Sequence, residues 1–160
     1  MESRDLYNID RQKIGVIDAT EKVPLGSYVI GVLLILKNSE GKFLIQKRSE
    51  SKGGLWAFTS GHPKSGENSL DGIITEVKEE LGIELCDDDF IYLESNYDKD
   101  IIGDVFLVVK DIDINDIVLQ KSEVSFVKYV SYDDIISLNA AGLFHKAHFR
   151  IFNDVSKYIL

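Results

Sequence analysis

The sequence predicts an α+β domain in which a mixed β-sheet lies between helices. Tyr28–Leu36 is a nearly continuous apolar run, as a strand buried on both faces requires. Ser69–Leu81 carries apolar residues at helical spacing, and strand-like segments both precede and follow it. This order of strands, helix, strands and helix indicates a mixed sheet sandwiched between helices. The length of 160 residues fits one domain over residues 1–160.

The first 27 residues are typical of a hairpin that extends the domain. Leu6–Ile9 and Ile14–Ile17 are strand-like, and the polar turn Asp10–Lys13 separates them. After the long apolar strand, Asn38–Lys42 predicts a turn and Phe43–Gln46 the next strand. A loop follows at residues 50–54.

The helix over Ser69–Leu81 has signals at both ends. Asn68 or Ser69 can cap its start, and Gly82 suits the C′ position. Its apolar stripe consists of Leu70, Ile73, Ile74, Val77 and Leu81.

The remainder predicts three strands and two helices. The strands are Phe90–Glu94, Asp104–Val109 and Ser125–Val130. A short helix is expected over Tyr132–Leu138 and a longer one over Leu143–Ile159. The expected buried stripe of the last helix is Phe144, Ala147, Ile151 and Val155.

Composition narrows the function classes. A net charge of −9 disfavours a partner such as a nucleic-acid polymer, whereas a small anionic ligand needs only a local positive patch or a metal. No apolar run approaches the length of a membrane span, and the polar N-terminus is unlike a signal peptide. The single Cys86 favours a reducing, cytoplasmic setting, and its expected role is packing.

Three glutamates carry the main chemical signal. Glu76, Glu79 and Glu80 stand at i, i+3 and i+4 on one helix face, beside the apolar stripe and mostly away from it. Like charges at this spacing repel, and a bound divalent cation would turn that repulsion into ligand strength. The structural alternative is a solvated helix face. Gly72 shares the face and leaves its backbone open to close approach.

The surrounding residues resemble the box of the Nudix hydrolase family, Gly-x5-Glu-x7-Arg-Glu-U-x-Glu-Glu-x-Gly-U, where U is a bulky aliphatic. The match over residues 61–83 consists of Gly61, Glu67, Glu76, Val77, Glu79, Glu80, Gly82 and Ile83. The one departure is Thr75, where the family has Arg.

This resemblance implies a Nudix fold and hydrolysis of a diphosphate linked to another group. It assigns Glu76 and Glu80 as ligands of Mg²⁺ or Mn²⁺, and Glu79 as a further ligand or as the base that orients the attacking water, so that Glu76 and Glu79 are the candidate catalytic residues. The Gly61 carbonyl is a further candidate ligand, and Glu67 would support the ligands.

Similarity outside the box points to the branch related to isopentenyl-diphosphate isomerase. It lies in the hairpin, in Lys52–Trp56, in Ser60–Pro63 and in Leu119–Val124. The isomerase needs a nucleophilic Cys where this chain has Ser60, and a His in the first long strand that residues 28–31 lack. Isomerase chemistry is therefore disfavoured.

Several residues outside the box are candidates for binding or catalysis, and most of them also have a plausible structural role. By resemblance, Arg48 and Lys52 bind the diphosphate, or they are surface charges. Glu123 is a candidate catalytic or metal-binding carboxylate, and His62 is either a metal ligand or a loop residue before Pro63. Structural roles are expected for Trp56, Asp87–Asp89, His145 and His148.

Thr75 leaves two functional hypotheses open. In the family, the Arg pairs with a box glutamate, and Lys64 is favoured over Lys78 as its substitute here. One hypothesis is a metal-dependent hydrolase acting on a nucleoside diphosphate derivative or a related small diphosphate. The other is a weakened or inactive sensor that binds such a ligand. The substrate stays open, and the hairpin can pair across a homodimer.

Overall fold

The computed structural model describes residues 2–160 and confirms the predicted α+β class. Nine strands and three helices occur in these residues. The strands are β1 (Ser3–Tyr7), β2 (Lys13–Asp18), β3 (Val29–Lys37), β4 (Phe43–Arg48), β5 (Trp56–Ala57), β6 (Thr59–Gly61), β7 (Ile91–Asp98), β8 (Ile101–Val109) and β9 (Val124–Val130). The helices are α1 (Ser69–Leu81), α2 (Tyr132–Ala140) and α3 (Lys146–Ile159).

The main sheet is mixed and has seven strands. Its order is β5-β4-β3-β8-β7, with β6 added to β3 and β9 added to β4. The central pair, β3 and β8, is parallel over its whole length, from Val29 beside Ile101 to Lys37 beside Val109. The β1–β2 hairpin forms a separate sheet, joined to the start of the domain core by a bridge between Tyr7 and Tyr28.

Helices cover both faces of this sheet. Successive residues of β3 alternate between two cores: Val32 and Leu34 belong to the cluster that contains Val77 of α1. Leu33 and Ile35 belong to the opposite cluster, which contains Phe152 of α3. Double coverage explains why the β3 sequence is apolar without alternation, as predicted.

The boundaries of α1 follow the predicted signals. Asn68 forms a capping box with Asp71, and Gly82 ends the helix in the left-handed conformation at φ 66°. Gly72 is where a neighbouring segment approaches closely, because a Cβ there would lie 2.7 Å from Cγ of Pro63. The helix therefore lies directly against the loop that precedes it.

The predicted start of the last helix was wrong, and so was most of its predicted stripe, whereas its end at Ile159 and the burial of Val155 are confirmed. It begins at Lys146 because His145 is the N-cap, and its buried face is Phe152, Val155 and Ile159. The expected Ala147 and Ile151 are only partly buried. Phe144 is buried but precedes the helix, in an extended segment that forms a bridge with Trp56.

Two other details differ from expectation. Cys86 is exposed rather than packed, with its Sγ 3.3 Å from Oδ2 of Asp89. The hairpin turn lies earlier than predicted, over residues 8–12, because Oδ1 of Asn8 accepts hydrogen bonds from the N–H groups of Asp10 and Gln12. The short strands β5 and β6 were not predicted, since each has at most three residues.

A buried carboxylate fastens the hairpin to the rest of the domain. Asp104 on β8 is 3% exposed and accepts hydrogen bonds from Arg11 in the hairpin turn, Ser69 at the start of α1 and Ser95 on β7. Burial alone would raise the pKa of Asp104, but the hydrogen bonds from these three residues outweigh it and lower the pKa overall.

Within residues 2–160, no helix combines the length and the apolar character needed to cross a membrane.

We expect Asp104→Asn to lower the free energy of unfolding by about 2 kcal/mol at pH 7, because an amide cannot accept from all three donors. Since the folded-state pKa of Asp104 is lowered, this contribution is present above the ordinary carboxyl pKa of 3.8 and is lost as the pH falls below it. Urea denaturation at pH 7 and pH 3 measures both effects. Asp98→Asn, which breaks an exposed ion pair with Arg150, is the control and should cost about 0.5 kcal/mol or less. Equal losses in the two variants would contradict this role for Asp104.

Candidate functional site

The centre of the candidate site is a close contact between α1 and the end of β6. A Cβ built on Gly61 would lie 2.3 to 2.6 Å from the carboxyl end of Glu76. Any other residue at this position would displace the Glu76 carboxyl group. The Glu76 carboxyl group consequently lies directly over the Gly61 backbone.

Glu76 and Glu80 form a carboxyl pair one helical turn apart. Burial, a hydrogen bond that the protonated Glu76 donates to Glu80, and the negative charges nearby raise the pKa of Glu76 to about 9. Burial also raises the pKa of Glu80, and its hydrogen bond from Gln46 offsets this only in part. In the absence of a cation, the two groups share a proton near neutral pH.

The sequence suggested that Glu80 points mostly away from the apolar stripe, but this prediction was wrong. Glu80 is buried, with only 8% of its surface exposed. The reason is a buried hydrogen-bond chain from the sheet. The Thr59 hydroxyl donates to Oε1 of Gln46 at 2.8 Å, and Nε2 of Gln46 donates to Oε1 of Glu80 at 2.7 Å. The roles of Gln46 and Thr59 were not predicted, although the polar Gln46 at the end of the apolar segment Phe43–Gln46 is a signal in the sequence.

Glu79 lies on the exposed side of the same helix face. Nζ of Lys64 donates to its Oε1 at 2.8 Å, whereas Lys78 pairs with Glu84 at 3.0 Å. The hydrogen bond to Glu79 raises the pKa of Lys64. Lys64 rather than Lys78 therefore contacts a box glutamate, and its role as the substitute for the family Arg stays a prediction.

Thr75 has no charge, but its side chain forms a hydrogen bond with a glutamate of the box. Its hydroxyl donates to Oε2 of Glu67 at 2.8 Å, and the Lys64 N–H donates to Oε1 of the same carboxylate, also at 2.8 Å. Glu67 is therefore fixed between α1 and the preceding loop.

The end of β4 and a later loop meet at the same edge of the site. The Ser49 N–H donates to the carbonyl of Glu123 at 3.0 Å, and Nζ of Lys52 lies 3.6 Å from Oε1 of Glu123. Arg48 and Glu123 are close enough to Glu80 to act on its pKa in opposite directions. The structure thus groups these residues with the carboxyl pair, and their roles in binding or catalysis stay predictions.

His62 is oriented differently from the glutamates. Its Nδ1 lies 2.8 Å from the carbonyl oxygen of Ile30, and burial lowers its pKa. Its ring lines a cavity on the α3 side of the sheet. A metal-binding role for His62 stays a prediction.

The other residues expected to be structural have identifiable contacts. Trp56 packs edge-to-face on Phe126 at 6.2 Å, with Nζ of Lys128 4.4 Å from its ring centre. His148 accepts a hydrogen bond from the Phe58 N–H, and its ring stacks on His145 at 4.1 Å. Residues 87–89 form a short 3₁₀ turn, as expected of a segment after the helix.

The donor set fits a hard divalent cation. Glu76 and Glu80 present carboxylate oxygens that already compete for one proton, and the backbone of Gly61 lies against Glu76. Within residues 2–160, no three His, Cys, Asp or Glu side chains are grouped as a complete metal cage. Glu79 would complete the set with the carboxylate that Lys64 orients.

The family model and the related sequences that match this chain point to the same family. A family model described as the NUDIX domain matches residues 27–154. An uncharacterized Nudix hydrolase of Listeria monocytogenes is 30% identical over 149 residues, which cover 90% of this chain and 88% of that protein. Isopentenyl-diphosphate Delta-isomerase of Shigella flexneri matches only in part: it is 36% identical over 66 residues, or 39% of this chain and 36% of the isomerase.

Solved structures share the fold at low sequence identity. Protein DR0079 of Deinococcus radiodurans has a TM-score of 0.73 at 24% identity, covering 89% of this chain and 91% of its own. The NUDIX domain of Shewanella oneidensis NrtR, crystallised with ADP ribose, has a TM-score of 0.65 at 14% identity and covers 90% and 94% of the two chains.

Without metal, Glu76→Gln should flatten the pH dependence of stability. The raised pKa lets the folded protein keep a proton that the unfolded chain releases above about pH 4.5, so the free energy of unfolding falls as the pH rises towards 9. Because the carboxyl keeps partial contact with solvent, we expect Glu76 to account for about 2 kcal/mol of that fall. Urea denaturation in EDTA from pH 5 to 9 measures it. Glu84→Gln, an exposed control, should follow the wild-type profile, and a Glu76→Gln profile parallel to wild type would contradict the shared proton.

Proposed function

The chain belongs to the Nudix hydrolase family, and from this premise we propose that it is an Mg²⁺- or Mn²⁺-dependent hydrolase. Its substrate would be a nucleoside diphosphate derivative or a related small diphosphate, cleaved at the phosphoanhydride bond. The observation that carries this proposal is the Glu76–Glu80 carboxyl pair held against Gly61, with both pKa values raised chiefly by burial. A solvated structural helix would not bury such a pair.

The residues that would hold the cation are Glu76, Glu80, Glu79 and the Gly61 carbonyl. When bound, the cation would screen the diphosphate charge and lower the pKa of water. Glu67 would keep the loop and helix in place, since it bonds both Thr75 and the Lys64 backbone.

The chain's own residues account for orientation and proton transfer. Water attacks one phosphorus atom, the bond from that atom to the bridging oxygen breaks, and two phosphate-bearing products leave. Glu79 would accept the proton of the attacking water, because it is the most exposed of the three glutamates and Lys64 orients its carboxylate. Arg48 and Lys52 would bind the diphosphate oxygens at the edge of the site.

The comparisons support this substrate class. The Shewanella domain was crystallised with ADP ribose, a small diphosphate, and the Listeria relative bears the hydrolase name. The isomerase match is confined to part of the chain, and Ser60 stands where the isomerase needs its Cys. Hydrolysis is therefore the better supported chemistry.

The setting of the protein is also a proposal. A single free Cys86 on the surface is compatible with a reducing, cytoplasmic compartment. The hairpin strand β2 exposes Ile14 and Val16 on one side, which supports its pairing in a homodimer.

A ligand-binding sensor is the second candidate, and Thr75 is the observation that favours it. Without an Arg at this position, no guanidinium holds a box glutamate in its ligand geometry, and cation binding would be weaker. The Lys64–Glu79 contact supplies a substitute and favours the enzyme.

Incubation with Mg²⁺ and a panel of nucleoside triphosphates, nucleotide sugars and ADP ribose tests the proposal. We expect at least one compound to release two phosphate-bearing products, detected by chromatography and mass spectrometry. Glu76→Gln and Glu79→Gln should each slow the reaction by about 100-fold or more. Glu84→Gln, an exposed control, should retain activity. No turnover of any compound, together with a melting temperature that rises with ligand, would instead establish the sensor.

A double-mutant cycle tests whether Lys64 replaces the family Arg. We expect Lys64→Met to weaken Mg²⁺ binding, measured by calorimetry, because Glu79 loses the side chain that holds its carboxylate in position. Thr75→Arg should restore most of that loss in the double variant while changing the wild-type affinity by less than about tenfold. Lys78→Met is the control on the same helix and should leave Mg²⁺ affinity unchanged. Additive effects of Lys64→Met and Thr75→Arg would rule out the substitution.

A further inference from the structure

Gln46 is a buried glutamine that reaches from the sheet to one of the two paired carboxyl groups. It is 5% exposed and lies on β4, where it pairs with Ala57 of β5 and with Val127 of β9. Its Nε2 lies 2.7 Å from Oε1 of Glu80 on α1. Because neighbouring strands hold the β4 backbone on both sides, the Gln46 amide is presented to Glu80 from a fixed position.

The direction of the hydrogen bonds that Gln46 makes is dictated by chemistry. An ionised Glu80 can only accept, so the Gln46 atom that faces it must be the amide nitrogen. The amide oxygen then faces Thr59, whose hydroxyl donates to it at 2.8 Å. Thr59 is itself 6% exposed. Its hydroxyl therefore holds the amide in the orientation that keeps the N–H donor on Glu80.

The backbone at the end of α1 is also held in place. The Glu80 carbonyl accepts from the Gln120 N–H at 3.0 Å, and the Leu81 carbonyl accepts from the Val118 N–H at 2.9 Å. A Cβ built on Gly82 would lie 3.0 Å from Cβ of Val118, so this loop lies directly against the helix end. With the helix end fixed, the orientation of the Glu80 side chain decides which of its oxygens a cation can reach.

The two carboxylate oxygens of Glu80 consequently have different surroundings. Oε1 faces the buried Gln46 amide on the sheet side, and Oε2 is left for a cation. A carboxylate that offers a single oxygen suits Mg²⁺, which requires near-octahedral geometry with short bonds. Ca²⁺ takes more oxygens in a looser arrangement and accepts both oxygens of one carboxylate. The hydrogen bond from Gln46 therefore favours the smaller cation.

We infer that Gln46 and Thr59 are positioning residues that select Mg²⁺ or Mn²⁺ over Ca²⁺ at the candidate site, because they restrict Glu80 to coordination through one oxygen. Gln46 acts directly on Glu80, and Thr59 acts through Gln46. Neither residue belongs to the proposed ligand set. This assignment rests on the proposed function, which places the cation at Glu80.

Metal binding without substrate tests the inference. Electron paramagnetic resonance measures free Mn²⁺ in the presence of the protein, and Mg²⁺ and Ca²⁺ are then titrated as competitors. The quantity compared is the selectivity ratio, which is the Kd for Ca²⁺ divided by the Kd for Mg²⁺. We expect Glu80→Gln to weaken Mn²⁺ binding by about tenfold or more, which identifies the site. If it does not, or if the wild-type protein binds no Mn²⁺, the inference is overturned.

Gln46→Met removes the amide from a side chain of similar length and lets Glu80 turn both oxygens towards the cation. We expect the selectivity ratio to fall about tenfold, because Ca²⁺ gains an oxygen ligand and Mg²⁺ does not. Gln12→Met is the matched control, since it makes the same substitution at an exposed glutamine of the hairpin turn, and it should leave the ratio unchanged. Equal losses of affinity for the two metals in Gln46→Met would reveal support of the fold alone and overturn the inference.

Variants of Thr59 give a second test, which decides the question if the melting temperature shows that Gln46→Met is unfolded. Thr59→Ser keeps the hydroxyl and should retain the wild-type ratio. Thr59→Val has a similar size but leaves the amide oxygen without its donor, so the ratio should fall about threefold. In a folded double variant with Gln46→Met, Thr59→Val should have no further effect. Equal ratios in Thr59→Val and Thr59→Ser would contradict the assignment.

The outcome is separable from that of the proposed function. A selectivity ratio that depends on Gln46, in a protein that hydrolyses no diphosphate, would refute the hydrolase and leave this inference standing. Mg²⁺-dependent hydrolysis with an unchanged ratio in Gln46→Met would do the reverse.

Discussion

The close approach of α1 to the end of β6 is the constraint on which the site depends. Two glycines permit it at its two ends: Gly61 lies under the Glu76 carboxyl, and Gly72 lies against Pro63. With both contacts made, the loop between them has little freedom, and Glu67 further joins it to the helix through Thr75. The carboxylates are therefore positioned by backbone packing before any ligand arrives, which is the preorganisation that a binding or catalytic site requires.

The same packing creates an electrostatic conflict that the fold resolves locally. Burying Glu76 beside Glu80 opposes ionisation of both, and the Thr59–Gln46 chain supplies a donor to only one of them. Lys64 pairs with the third carboxylate, Glu79, from the loop side. Because these neighbouring carboxylates repel one another, a cation that binds between them stabilises the site. Like charges on one helix face are unfavourable for the helix alone, and such exceptions are expected where function requires them.

Local patterns in the sequence were sufficient for much of the fold. The apolar run of β3, the caps of α1 at Asn68 and Gly82, and the grouping of the box glutamates all follow from spacing that short-range physics dictates. The start of α3 did not follow, because His145 caps it and Phe144 is bound to Trp56 across the fold. The burial of Glu80 did not follow either, since its partner Gln46 lies 34 residues earlier in the chain. Tertiary contacts of this kind have no local signature.

The hydrogen bond between Arg11 of the hairpin and Asp104 also affects the rate of folding. Arg11 and Asp104 are 93 positions apart, and the central strand pair β3–β8 is parallel, so both require long segments of chain to close before they form. Such non-local topology slows folding relative to helical domains of this size. During synthesis, which proceeds from the N-terminus, Arg11 leaves the ribosome long before β8 does. The hairpin must then wait for its carboxylate partner, and nascent chains that lack β8 would present an unanchored, partly apolar strand pair to chaperones.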